Sequence, residues 1–143
     1  MPYKVQKWNR PHPPNSAGLR LELEAEGYTV FHLCDRPEMQ YGLHKHSDDQ
    51  CHWIISGSLE ITIDHGGTFV LECGDRDLMP AETYHSARVL GDEPVVYLVG
   101  SRSRSAEEQG ERVDGFELLR SFAEMMRPSE DADDETCAQE EEA

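Results

Sequence analysis

The chain has no run approaching the roughly 20 consecutive apolar residues that a spanning helix needs. Cations are scarce as well: 13 Lys and Arg stand against 29 Asp and Glu, a net charge of −16. Phosphate backbones are repelled by that balance, so neither nucleic acid nor a membrane is an expected partner. Cysteine is sparse and scattered. Cys34, Cys51, Cys73 and Cys137 form no Cys-x-x-Cys pair and no small disulfide framework, so buried free thiols are expected. Met1 to Trp8 lacks the apolar stretch of a secretory signal, which makes the cytoplasm the expected location.

What is present fits one domain, because 143 residues hold a single modest core. Eight of the acids follow Arg127, with no Lys or Arg among them. Residues 129–143 therefore read as a disordered acidic tail. Residues 1–18 carry Pro2, Pro11, Pro13 and Pro14, a density that forbids a helix and indicates an extended arm lying over the domain.

From Leu19 to Gly100 the pattern is all-β. Leu19-x-Leu21-x-Leu23 and Leu59-x-Ile61-x-Ile63 alternate with period two. Turn signals at Glu26-Gly27, Asp64-His65-Gly66-Gly67, Cys73-Gly74-Asp75 and Gly91 to Pro94 cut the chain into short strands. The strand candidates are 19–24, 28–33, 40–46, 50–56, 58–63, 68–72, 76–80, 84–90 and 94–99, the pattern of a β-sandwich or barrel. Beyond a polar linker, residues 101–128 offer Val113, Phe116, Leu118 or Leu119, Phe122 and Met126 at helical spacing. Pro128 ends this short C-terminal helix.

The chemistry-bearing residues lie in the middle of this region. Residues two apart on a strand face the same way, so His44 and His46 project together with Lys45 opposed. After the polar turn Ser47-Asp48-Asp49, a returning strand places Gln50, His52, Ile54 and Ser56 on one face, and Gly57 closes it. Pro80 leads to His85, which shares a face with Ala87 and Val89, so Arg88 points away. Trp53 alternates with His52 and is expected to pack on the other side of the sheet. Tyr41, Met39, Tyr84 and Tyr97 line the pocket or pack in the core. Imidazoles suit zinc, iron, copper or nickel rather than magnesium or calcium. Three His and one amide oxygen leave open positions for water or substrate, the mark of a catalytic rather than a structural metal site.

The joint spacing resembles the two signature motifs of the cupin superfamily. The first runs Gly, five residues, His-x-His, three or four residues, Glu, six residues, Gly; here His44, His46, Gln50 and Gly57 stand in register. The second runs Gly, five residues, Pro-x-Gly, two residues, His, three residues, Asn; here Gly74, Pro80 and His85 match. The departures are Glu38 for the leading Gly, Gln50 for Glu, Glu82 for Gly and Val89 for Asn. Over residues 20–100 the resemblance implies a double-stranded β-helix, the cupin jelly roll, with a metal between two sheets. It also implies His44, His46, Gln50 and His85 as ligands of one divalent transition metal (Zn, Fe, Ni, Mn or Cu), and a homodimer.

Gln50 brings no charge, so such a shell leaves the ion's full +2 to polarise bound water or a substrate carbonyl. Cupins with this substitution include proteins that linearise 4,5-unsaturated uronic acids and some polyketide cyclases, whose chemistry is non-redox. The alternative at Gln50 is a hydrogen bond to water with three His holding the ion. His52 is open to three readings: a fourth ligand, the catalytic general base, or a satisfied core histidine. The expected function is a small metalloenzyme using its metal as a Lewis acid on a sugar acid or other oxygen-rich enolisable small molecule. An iron-dependent dioxygenase and a non-catalytic metal-dependent binding or sensing module are the alternatives.

Overall fold

The computed structural model describes residues 2–103; the C-terminal helix and acidic tail expected from sequence lie outside them. The elements in chain order are β1 (Lys4–Gln6), α1 (Ser16–Ala25), β2 (Thr29–Asp35), β3 (Gln40–His44), β4 (Asp49–Ser56), β5 (Ser58–Ile63), β6 (Gly67–Leu71), β7 (Arg76–Leu78), β8 (His85–Leu90) and β9 (Val95–Arg102). They form two antiparallel sheets, of order β1-β7-β4-β9-β2 and β3-β8-β5-β6. This is the jelly roll, with one correction to the expected barrel: the sheets share no strand and do not close.

Between the sheets lies the main core of Ile54, Leu59, Ile61, Leu71, Met79, Val89, Val95, Tyr97 and Val99. A second cluster of Leu19, Leu23, Tyr28, Val30, Cys51, Trp53 and Leu98 joins the outer face of the five-stranded sheet to α1. Strand β9 is thus covered on both faces, which explains its unbroken burial from Val95 to Ser101.

Helix α1 overturns the strand expected at 19–24. Three leucines spaced by two satisfy a strand, but Leu19 and Leu23 also sit four apart on one helical face. The helix buries those two and leaves Leu21 66% exposed. The Asn15 side chain caps it by accepting from the Gly18 amide at 2.8 Å, and the Leu-Arg-Leu-Glu-Leu-Glu-Ala run is built of strong helix formers. The arm is extended only up to this cap. It is tied down by β1 against β7 and by the Trp8 amide donating to Asp75 Oδ1 at 3.0 Å.

Gly57 turns β4 into β5 with φ +83°, and a Cβ there would collide with the Pro94 carbonyl. Gly74 (φ +90°) leaves the room that Trp8 fills. Cys51 is the expected buried free thiol, whereas Cys73 is free but exposed. Among the described residues no helix is long and apolar enough to cross a membrane.

Candidate metal centre

Strand pairing brings the two motifs together. His44 ends β3 and His85 begins β8, and the two are direct cross-strand partners. His46 follows two residues on, just beyond the strand. Ligand nitrogens of the three lie within 4.8 Å of one another. Their ring centres are 4.9 Å (His44 to His46), 4.2 Å (His44 to His85) and 5.4 Å (His46 to His85) apart. From the opposite sheet, β4 contributes Gln50 and His52 to the same cavity, whose remaining wall includes Tyr41, Tyr97, Leu33, Leu59, Ala87 and Val99. Cys51 and Trp53 face the other way, into the α1 cluster. The expected alternation of β4 therefore holds up to Ile54, after which a register shift leaves Ser56 exposed.

The tautomers suit ligation. His44 Nδ1 lies 2.6 Å from the Gly42 carbonyl and His85 Nδ1 lies 2.9 Å from the Thr83 carbonyl. A carbonyl only accepts, so both Nδ1 atoms carry the proton and both Nε2 atoms present a lone pair. Burial lowers the pKa of all three imidazoles. His46 is pushed down to about 3, with His44 and His85 adding to the effect of burial. His85 falls to about 4 despite the opposing Thr83 carbonyl, and His44 is lowered against the pull of Gly42. At neutral pH the three are uncharged donors.

Gln50 completes the test of fit. Its side chain is 2% exposed and its Oε1 is buried with no hydrogen-bond partner. An orphaned buried acceptor costs about 1–3 kcal/mol, a cost that a cation in the cavity would remove. Three neutral imidazoles and one unpaired amide oxygen are a donor set for a divalent transition metal.

His52 sits deeper and is held differently. Its backbone N–H donates to Asp77 Oδ1 at 2.7 Å, and its Nδ1 lies 3.1 Å from Asp77 Oδ2 and 3.2 Å from Oδ1. Asp77 is fully buried, and the hydroxyl of Tyr3, just before β1, donates to its Oδ2 at 2.8 Å. Burial alone would lower the His52 pKa, but the charge and hydrogen bond of Asp77, with Asp35 behind, raise it. On the other wall, the Tyr97 hydroxyl donates to buried Asp35 at 2.7 Å. Sequence reasoning missed Asp77, Asp35 and Tyr3. Nothing local marks them, since Asp77 lies 25 residues from His52 and Asp35 lies 62 from Tyr97.

Both motif glycines replaced by glutamate retain glycine-like backbone: Glu38 has φ 73° and Glu82 has φ 68°. The Glu82 amide donates to the His46 carbonyl at 2.7 Å, joining the second motif to the first. Its carboxylate holds Lys45 at 2.7 Å, while the Lys45 ammonium lies 5.2 Å from the centre of the Tyr84 ring. Asp49, read as part of a solvated turn, accepts from the Ala81 amide at 2.8 Å and adds a second tie. Tyr41 and Tyr97 line the cavity, whereas Met39 packs against the core and Tyr84 is 47% exposed. Arg88 points outward to Glu60, as expected.

Comparison with known proteins agrees with this architecture. Residues 32–100 match the family model described as Cupin domain. The chain contains a small domain of the cupin type. Among solved structures, the DMSP lyase DddQ from Ruegeria pomeroyi DSS-3 is 22% identical, with a TM-score of 0.50 over 55% of this chain and 39% of that one. A chain from the crystal structures of the DMSP lyases RdDddP and RnDddQII is 24% identical, with a TM-score of 0.50 over 59% and 42%. KdgF from Halomonas sp. is 26% identical, with a TM-score of 0.43 over 55% and 74%. This chain spans about two fifths of the length of the two lyase chains, and the likeness to them is one of fold. No curated protein sequence matches it.

Proposed function

We propose that this cupin binds one divalent transition metal through His44, His46, His85 and Gln50. It acts as a small metalloenzyme on a compact, oxygen-rich, enolisable molecule. The observation that carries the reading is the convergence of three imidazoles on a cavity where the Gln50 oxygen has no other partner. With four neutral donors, a bound ion would keep its full charge and serve as a Lewis acid toward carbonyl or hydroxyl oxygens.

The protein's own groups define the rest. Leu33, Leu59, Ala87 and Val99 keep bulk water from the inner wall. His52 stands in the same cavity as the group that moves a proton, and its carboxylate partner distinguishes it from a merely buried histidine. The cavity volume is ≈ 40 Å³, space for roughly three waters. An ion and the oxygens that coordinate it would take up that space, and the rest of an organic acid would extend out of it. Among the described residues no Lys or Arg lines the cavity, so an anionic group would be held by the ion itself.

Metal analysis of the purified protein tests the site. One divalent ion per chain is expected, falling to background in His44→Ala and His85→Ala with the far-UV spectrum preserved. Unchanged metal content in either variant would overturn the assignment. Turnover of a panel of small hydroxy and keto acids, assayed with and without oxygen, then tests the chemistry. Activity that persists anaerobically supports the Lewis-acid route, and strict oxygen dependence assigns the site to a dioxygenase. Tight binding without turnover would make the protein a binding module.

A further inference from the structure

A fully buried carboxylate is expensive unless every lone pair it turns inward finds a donor. Asp77 is 0% exposed, and its partners are of two kinds. The His52 backbone N–H at 2.7 Å and the Tyr3 hydroxyl at 2.8 Å are fixed donors that hold the carboxylate in place. The third partner, His52 Nδ1, is within reach of both oxygens at 3.1 and 3.2 Å. An ionised carboxylate can only accept, so this contact is a hydrogen bond only when Nδ1 carries the proton.

We infer that Asp77 is a positioning residue. It holds His52 in the tautomer with its proton on Nδ1 and its bare Nε2 turned to the cavity, and Tyr3, just before β1, locks Asp77 in that role. The inference rests on the reading of the cavity as a reaction site, but its geometry does not depend on the metal. Among the described residues the ligand cluster comprises His44, His46 and His85. His52 stands apart from it, its ring centre 6.5 Å from that of His85 and 6.1 Å from that of Tyr97. Asp77 therefore holds His52 beside the cluster rather than in it.

A bare Nε2 there can take a proton from a C–H or O–H acid lying in the cavity. The nitrogen lone pair becomes the new N–H bond, the electron pair of the broken bond stays on the substrate, and Asp77 remains ionised opposite the imidazolium. The wrong tautomer would present an N–H where an acceptor is needed. In the serine-protease triad, where an Asp has the same duty, that error costs about four orders of magnitude in kcat. The arrangement also gives the N-terminal arm a function: Tyr3, next to β1, delivers the hydroxyl that fixes the carboxylate.

The test is the tautomer itself, read by long-range proton–nitrogen correlation on metal-free protein labelled with 15N-histidine, at alkaline pH. An imidazole free in water favours the proton on Nε2, so a His52 that merely fills space would report that form. Wild type is expected to show Nδ1 protonated and Nε2 bare, and the opposite finding overturns the proposal with no variant required. Asp77→Asn places an amide donor beside Nδ1 and is expected to move the proton to Nε2; an unchanged tautomer in a folded Asp77→Asn protein also overturns it. Zinc titration of the same samples separates this inference from the metal reading. Asp77→Asn is expected to bind zinc with wild-type stoichiometry. A wild type that binds no zinc would remove the metal centre while leaving the tautomer result standing.

Discussion

On β4 the residues facing the other sheet and those facing α1 are both buried, but for opposite reasons. Outward, Cys51 and Trp53 are 0% and 3% exposed and pack among leucines. The Trp53 indole donates to the Gly74 carbonyl at 2.9 Å, and its ring lies 4.6 Å from the Arg76 guanidinium. Inward, Gln50 and His52 are 2% and 9% exposed, yet they are polar and face a cavity, and one acceptor is unpaired. Alternation puts the two environments one residue apart. The outer face stabilises the fold, whereas the inner face reduces stability at the candidate site.

Substitutions on the two faces should therefore differ in sign. Trp53→Ala is expected to cost about 3–5 kcal/mol, the range for a buried aromatic, with metal stoichiometry unchanged in the folded fraction. Urea denaturation and metal analysis on one sample check both halves, and lost metal at small stability cost would break the contrast. Gln50→Met keeps the volume and removes the orphaned oxygen. It is expected to stabilise the metal-free protein by about 1–3 kcal/mol and to weaken metal binding. A destabilised Gln50→Met apo-protein would show that the amide serves the fold.

Acid offers a third probe. The folded protein holds His85 and His46 neutral down to about 4 and about 3, while the unfolded chain protonates them near 6.5. Between those values the unfolded state binds more protons, so these residues make folding less favourable as pH falls from 6.5 toward 4. His52 works in the opposite sense. Its raised pKa contributes stability that is present below 6.5 and lost as pH rises through its folded value. Metal-free wild type should accordingly lose more stability between pH 7 and pH 5 than a His46→Gln, His85→Gln double variant, whose slope should be flatter. Equal slopes would show that the imidazoles are not held neutral.

The smallest effect concerns the two turns. A non-glycine residue in the left-handed region costs roughly 1–2 kcal/mol, partly balanced by the greater freedom that glycine gives the unfolded chain. Glu38→Gly should stabilise by about 0.5–1 kcal/mol. At Glu82 the substitution also removes the exposed ion pair with Lys45, so Glu82→Gly should be near neutral. Thermal melts of the two variants should rank in that order.

The strand with the cleanest alternation, 58–63, was legible to the residue, and so was the outward turn of Trp53 and Arg88. The His-x-His pair, Gln50 and His85 were legible because their spacing survives in one dimension. Helix α1 was not, because three leucines spaced by two satisfy both periods and only packing selects Leu19 and Leu23. Asp77 was invisible for a different reason: a buried aspartate has the same letter as a solvated one, and its partner is 25 residues away on another strand.

By itself, then, the sequence determined the mostly β pattern, the turns and the side chains of the candidate metal centre, because periodicity and spacing are local properties of the chain. Only the tertiary structure decided which carboxylate stands behind His52, that the Gln50 oxygen is left without a partner, and that the two glutamates in glycine positions keep a left-handed backbone. Each of these depends on burial and long-range pairing, which come into being only when the two sheets meet.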